Sequence, residues 1–298
     1  MRSKTTRWFI AVMPPSGNRV ASDSSKGSPV STATPPPANP VPVRSPLPSA
    51  LAGTTAVLVG GSSGIGLAAG ELLRSVGARV VLVGRDPDRL EAAVARVRDA
   101  GPAEDADDSV LAVAGDGADE GTLAQAFDAA GHVDHVFVTA GGIGGAGPVT
   151  ELSAEDLRTV FESRVQTAFT AARAVATRLP AGGSLTFTSG ILVVRPVPGM
   201  SSLLSVAGAV ETLTRALAVE FAPARLRVNT VRFGRIDTPL LRSRPGLGSD
   251  DAVAAAGASA PLGRFGTAAE AAASALFLMA NTYITGQVLT VDGGETLF

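Results

Sequence analysis

The stretch Val59-Gly60-Gly61-Ser62-Ser63-Gly64-Ile65-Gly66-Leu67-Ala68 ends a short β-rich run, Thr55–Val59, and opens a helical pattern. Glycines at such a junction turn the chain, let backbone N–H groups approach a phosphate, and let helix and strand pack closely. The helix that follows adds its unpaired N–H donors and the positive end of its dipole. On this reading Gly60, Ser62, Ser63, Gly64, Ile65 and Gly66 are the residues expected to cradle a dinucleotide pyrophosphate.

Working outward, further β-rich runs fall at Val80–Val83, Val110–Val113, Val136–Val138, Ser184–Thr188, Leu226–Val231 and Val288–Val291. Their near-continuous apolar character fits strands of a parallel sheet covered on both faces. Helix starts lie between them. Asp86-Pro87 offers an N-cap and an N1 proline, while Ser153-Ala154-Glu155-Asp156 and Thr267-Ala268-Ala269-Glu270 resemble capping boxes. Residues 51–298 therefore predict one α/β domain, doubly wound (Rossmann-type), with a seven-stranded parallel sheet. Residues 1–50 read as a Pro/Ser-rich extension, expected to be disordered: residues 14–50 alone hold ten of the twenty prolines. The Gly-, Ser- and Ala-rich stretch Pro239 to Pro261 follows the sixth strand and is expected to form a mobile cover over the substrate.

Composition narrows the chemistry. The chain has 298 residues and no cysteine, which removes disulfides, thiolate metal sites and a Cys nucleophile. The only two histidines, His132 and His135, precede the fourth strand at the end of the sheet opposite the nucleotide, and are expected to be structural; no metal site is expected. A net charge of −2 and 4% aromatic residues argue against nucleic-acid binding. No run reaches the ~20 apolar residues of a membrane span. The apolar run Trp8–Met13 is too short for a secretory core, so a cytoplasmic location is expected. Both lysines, Lys4 and Lys26, lie in the extension; from residue 51 onward there is one tyrosine, Tyr283, and no lysine.

The end of the second strand selects the dinucleotide. An acidic side chain there would accept from the ribose 2′-OH and repel a 2′-phosphate. Here Val83-Gly84-Arg85 places a glycine and then a guanidinium, which suits planar recognition of phosphate, so NADP(H) is expected over NAD(H).

By these features residues 51–298 resemble the short-chain dehydrogenase/reductase family. Gly60-x3-Gly64-Ile65-Gly66 matches its glycine signature, with Val59 for its usual threonine. Thr139-Ala140-Gly141 matches the end of its Asn-Asn-Ala-Gly motif, and Arg227-Val228-Asn229 followed by Gly234 and Thr238 matches its sixth-strand motif, with Phe233 for proline. Thr285-Gly286-Gln287-Val288 and Val291-Asp292-Gly293-Gly294 match its C-terminal ending. The resemblance implies that Asp116 with Gly117, Ala140 with Gly141, and Ile236 with Thr238 complete the cofactor site, and that the chain forms a dimer or tetramer. It also implies a Tyr–Lys pair for proton transfer, a Ser that orients the carbonyl and an Asn that holds a relay water. The register of Gly208–Ala218 puts Leu203 at the Tyr position and Ala207 at the Lys position, with Gly190 at the Ser position beside Ser189, and Arg164 at the Asn position. Arg164, Ser189 and Arg195 are then the candidate catalytic residues, with an arginine polarising the acceptor oxygen.

Three functional classes stay open: an NADP(H)-dependent oxidoreductase acting on a small carbonyl or alcohol through a non-standard site; a non-catalytic cofactor-binding subunit or regulator, including a hetero-oligomer with an active paralogue; and a non-redox cyclase or isomerase on the same scaffold.

Overall fold

In the computed structural model, residues 47–101, 109–141 and 145–298 are described. The expectation of disorder for residues 1–46 lies outside them. Its boundary changes, however: a 3-10 turn spans Pro48–Leu51, and Leu51 is buried in the core beside Met279 and Ala280. The domain thus begins inside the expected extension, because a prolyl residue at the first helical position is compatible with such a turn.

Seven parallel strands form one sheet: β1 (Thr55–Val59), β2 (Arg79–Gly84), β3 (Val110–Ala114), β4 (His135–Val138), β5 (Ser184–Gly190), β6 (Arg227–Phe233) and β7 (Val288–Val291). Their order is β3-β2-β1-β4-β5-β6-β7. The helices are α1 (Gly64–Ser75), α2 (Pro87–Asp99), α3 (Glu120–Ala130), α4 (Ala154–Phe161), α5 (Thr167–Arg178), α6 (Ser201–Glu220), α7 (Pro239–Arg242), α8 (Asp250–Gly257) and α9 (Ala268–Ala280).

Alternate strand residues supply two cores, which explains the near-continuous apolar runs. Val57, Val59, Val81, Val83, Val136 and Val138 pack with Leu123 and Phe127 of α3, Ala168 and Val175 of α5 and Val210 of α6. On the opposite face Leu58, Leu82 and Phe137 pack with Leu73 of α1, Leu90 and Val97 of α2, and Leu276 and Met279 of α9. The edge strands β3 and β7 are only part-buried, because an edge lacks a neighbour on one side. Arg227 ties β6 to the end of α9 by donating to the carbonyls of Leu278 (2.6 Å) and Met279 (2.7 Å), two acceptors that a helix C-terminus leaves unpaired. Burial lowers its pKa to about 10.

The expected helix starts form. Asp86 caps α2, and Ser153 with Asp156 and Thr267 with Glu270 close reciprocal capping boxes at α4 and α9. The stretch after β6 departs from the expected mobile cover. It holds α7 and α8, fastened by a small apolar cluster of Leu241, Val253 and Phe265 and by Arg242, which pairs with Asp237 (2.6 Å) and Asp250 (2.7 Å). Three apolar anchors spaced through an Ala-rich sequence suffice to seat it. Among the described residues α6 alone is long and apolar enough to cross a membrane by length and composition, with mean hydropathy 1.3, and it packs on β5 and β6.

Candidate active site

The strand order reverses between β1 and β4, so the crevice for a ligand opens at their C-terminal ends. The glycine turn enters it directly from β1. Gly60 has φ +92°, and a Cβ there would stand 2.6 Å from Thr139 Oγ1 and 2.8 Å from the Ala140 nitrogen. A Cβ on Gly66 would run into the Gly60 carbonyl. These two glycines let the turn close against the end of β4, where Thr139 Oγ1 donates to the carbonyls of Val59 (3.2 Å) and Gly60 (3.1 Å).

The N-cap of α1, Ser63, makes no side-chain capping bond, so its side chain leaves the first-turn N–H groups to other acceptors. Thr238 caps α7 by accepting from Leu241 N at 3.3 Å, and its methyl side lies over Gly64, 3.5 Å from where a Cβ would be. Ile236 is buried just before it. Ser62 sits beside Gly84 at the end of β2; there a Cβ would meet Ser62 Oγ at 3.0 Å, and Arg85, next in the chain, is exposed. Past β3, Asp116 Oδ1 accepts from Ala118 N at 2.9 Å, and Gly117 is packed against Val59, leaving no room for a side chain. The expected cofactor residues therefore converge on one crevice, with Arg85 and Asp116 on its β2–β3 side and Ala140 and Gly141 on its β4 side.

The expected catalytic residues do not converge. Arg164 lies on a π turn, Glu162–Gln166, inserted between α4 and α5. Such turns bulge a helix and recur at functional sites. The bulge carries the guanidinium against Gly141, where a Cβ would come within 3.0 Å of Arg164 Cζ. Arg164 lines a small cavity with Val138, Ala140, Ala168, Phe187, Thr188 and Val210, and burial lowers its pKa. Ser189 is turned elsewhere. It shares the strand face of Leu185 and Phe187 toward α6 and donates to Glu211 Oε1 at 2.7 Å. Glu211 is only 4% exposed and accepts from Arg232 at 2.8 and 2.6 Å. Burial pushes its carboxyl pKa up, but the bonds from Arg232 and Ser189 outweigh this and hold it below the usual value. Arg195 is exposed and donates to the Glu295 carbonyl at 2.8 Å, bracing the C-terminal segment.

Thr188 also lines the Arg164 cavity, and its Oγ1 donates to the Val138 carbonyl at 3.2 Å. On α6, Leu203 is part-buried and Ala207 buried, whereas Tyr283 is 98% exposed after α9. His135 is buried with Nδ1 2.9 Å from Ser184 Oγ, and His132 pairs with Asp134 at 3.0 Å. Both lie at the entry end of the sheet, as expected.

A family model described as enoyl-(acyl carrier protein) reductase matches residues 59–296. The chain belongs to the short-chain dehydrogenase/reductase family. Carbonyl reductase family member 4 of Danio rerio is 33% identical over 247 residues, covering 81% of this chain and 98% of its own. The structure of the MalC reductase/Diels-Alderase of Malbranchea aurantiaca superposes with a TM-score of 0.75 at 29% identity, covering 83% of this chain and 98% of that one. A short-chain dehydrogenase from Burkholderia cenocepacia in complex with NADP gives a TM-score of 0.72 at 28% identity, with 82% and 98% covered. This short-chain dehydrogenase thus joins an oxidoreductase family that uses nicotinamide cofactors and acts on small molecules. Its glycine turn, strands β2 to β7 and C-terminal ending all fall within the matched span.

Proposed function

We propose that this short-chain dehydrogenase is an NADP(H)-dependent oxidoreductase for a small carbonyl or alcohol substrate, working without the family's Tyr–Lys pair. The observation that carries the reading is the Arg164 cavity, which opens beside the glycine turn at the ends of β4 and β5. The residues present suit the dinucleotide: Gly60 and Gly66 close the turn, the uncapped start of α1 offers N–H donors to the pyrophosphate, and exposed Arg85 offers a fork to a 2′-phosphate. When bound, NADPH supplies the hydride. Arg164 donates to the acceptor oxygen and stabilises charge as it develops there, the role a fixed cation fills at low dielectric. Thr188 lines the cavity with its hydroxyl donating to the Val138 carbonyl, and Ser189 is engaged by Glu211. A guanidinium stays charged, so the proton that completes the alcohol comes from water. The dimer or tetramer expected of the chain is supported by exposed Leu157, Phe161 and Phe169 along α4 and α5, and we propose a cytoplasmic location, with no membrane or nucleic-acid partner.

A second reading is favoured by one observation: the similar MalC protein of Malbranchea aurantiaca is named both a reductase and a Diels-Alderase, which favours a non-redox cyclisation on this scaffold. NADPH oxidation by the purified protein, followed at 340 nm against a panel of ketones and aldehydes, separates the two. Turnover that falls at least tenfold in Arg164→Gln supports the oxidoreductase. Absence of NADPH oxidation with every carbonyl supports the non-redox reading instead.

A further inference from the structure

After β7 the chain folds back on itself. Gly293 and Gly294 have φ +60° and +87°, a left-handed pair that reverses the backbone. Asp292 closes the reversal, its carboxylate accepting from Gly294 N at 2.9 Å and from Thr296 N at 2.8 Å. The turn sets the Glu295 side chain, only 10% exposed, against the residues that follow β6. There Glu295 Oε1 accepts from Arg235 N at 3.0 Å, and Oε2 accepts from Arg235 Nε at 2.7 Å. Gly234 makes the approach possible: a Cβ there would stand 2.7 Å from Asp292 Cα and 3.0 Å from Glu295 Oε1.

Contacts run from this pair to both ends of the segment that holds α7 and α8. The Arg235 guanidinium carbon lies 4.7 Å from the centre of the Phe265 ring, and Phe265 packs with Leu241 of α7 and Val253 of α8. The reversal itself meets the far end of that segment. A Cβ at Gly293 would lie 3.5 Å from Leu262 Cδ1, and one at Gly294 would lie 3.6 Å from Pro261 Cβ. Arg195 adds the loop after β5 by donating to the Glu295 carbonyl at 2.8 Å. At its start, α7 meets the glycine turn, where Thr238 covers Gly64.

We propose that residues 292–298 are a strap that holds α7 and α8 against the crevice, with Glu295 as its positioning residue. One carboxylate grips both the main chain and the side chain of Arg235, so it fixes where that guanidinium lies and hence where Phe265 sits. The bonds are charge-assisted, and the near-burial of Glu295 keeps them from being screened as an open surface pair is. Glu295 is not among the residues that line the Arg164 cavity, so it acts on a reaction there only through Arg235 and the helices beyond it. The effect on turnover rests on the oxidoreductase reading above: a loosened strap leaves the substrate side of the crevice incompletely assembled, which weakens substrate binding more than it slows the bound complex.

Amide hydrogen exchange, read by mass spectrometry alongside NADPH-dependent carbonyl reduction, tests this. Glu295→Ala should speed exchange in α7 and α8 by about tenfold and leave the strands of the sheet as they were. Arg235→Ala should do the same, and the double variant should add little to either single one. Glu295→Gln, whose amide oxygen can still accept from Arg235 N, should recover part of the protection. In Glu295→Ala the KM for the carbonyl should rise about tenfold while kcat stays within about twofold. Unchanged exchange of α7 and α8 in Glu295→Ala overturns the strap, and so does faster exchange spread evenly over the sheet, which marks a general loss of stability. An unchanged KM in a variant whose α7 and α8 have loosened overturns the positioning role of Glu295. Absence of carbonyl reduction by the unaltered protein instead overturns the oxidoreductase reading beneath it, and exchange alone then decides the strap.

Discussion

Arg85 and Ser189 show how differently single residues behave at this site. Arg85 follows Gly84 at the end of β2 and stays exposed beside the crevice, so its guanidinium is free to meet a phosphate without first leaving the core. Arg85→Asp should weaken NADPH at least tenfold and improve NADH, because a carboxylate there accepts from a 2′-hydroxyl and repels a 2′-phosphate. Equilibrium titration with both cofactors checks it; unchanged selectivity would remove Arg85 from the site. The position of Arg85 was legible because a strand end is marked by its apolar run. Ser189 was not, because its fate depends on Glu211, a residue of another element twenty-two positions away, and no local pattern reports that bond. Arg195 was lost for the same reason: its partner carbonyl belongs to Glu295, one hundred residues on.

Elements were legible where their ends carry chemistry. Thr267 and Glu270 close the capping box of α9, with Thr267 Oγ1 accepting from Glu270 N at 3.1 Å and Glu270 Oε2 accepting from Thr267 N at 2.9 Å. Bonds from Arg264 and then Thr267 bring the Glu270 carboxyl down from its ordinary 4.5 to about 2. A carboxyl depressed on folding stabilises above its unfolded value and loses that contribution as pH falls through its folded one. The window for Glu270 therefore runs from 4.5 down to about 2, and its exposure to water keeps the effect small. Thr267→Ala should cost about 1 kcal/mol by urea denaturation at neutral pH. Glu270→Gln should flatten the acid side of the stability profile over that window; an unaltered slope would mean the carboxylate contributes nothing there. The π turn at Glu162–Gln166 left no comparable mark, since a one-residue bulge changes hydrogen bonding without changing composition. Helices α7 and α8 were hidden by glycine and serine around them, and only Leu241, Val253 and Phe265 meeting in space reveal the cluster.

At the scale of the whole molecule, the sheet was readable because short apolar runs alternate with helical segments along the chain, several of them with capped starts. Its order then fixes where the crevice opens, and the glycine turn fixes which ligand group enters first. The candidate site was less readable because its residues come from β4, β5, the π turn with α5, and α6, joined through tertiary packing. The sequence has no lysine beyond residue 26 and a lone tyrosine at 283, and on the proposed reading the crevice holds a dinucleotide without the family's usual proton transfer. That proposal, a dinucleotide held by the glycine turn beside the Arg164 cavity, is most directly tested by titrating the purified protein with NADPH and with NADH under one buffer. Saturable binding of NADPH at one site per chain, at least tenfold tighter than NADH, is the result predicted; no binding of either dinucleotide would contradict it.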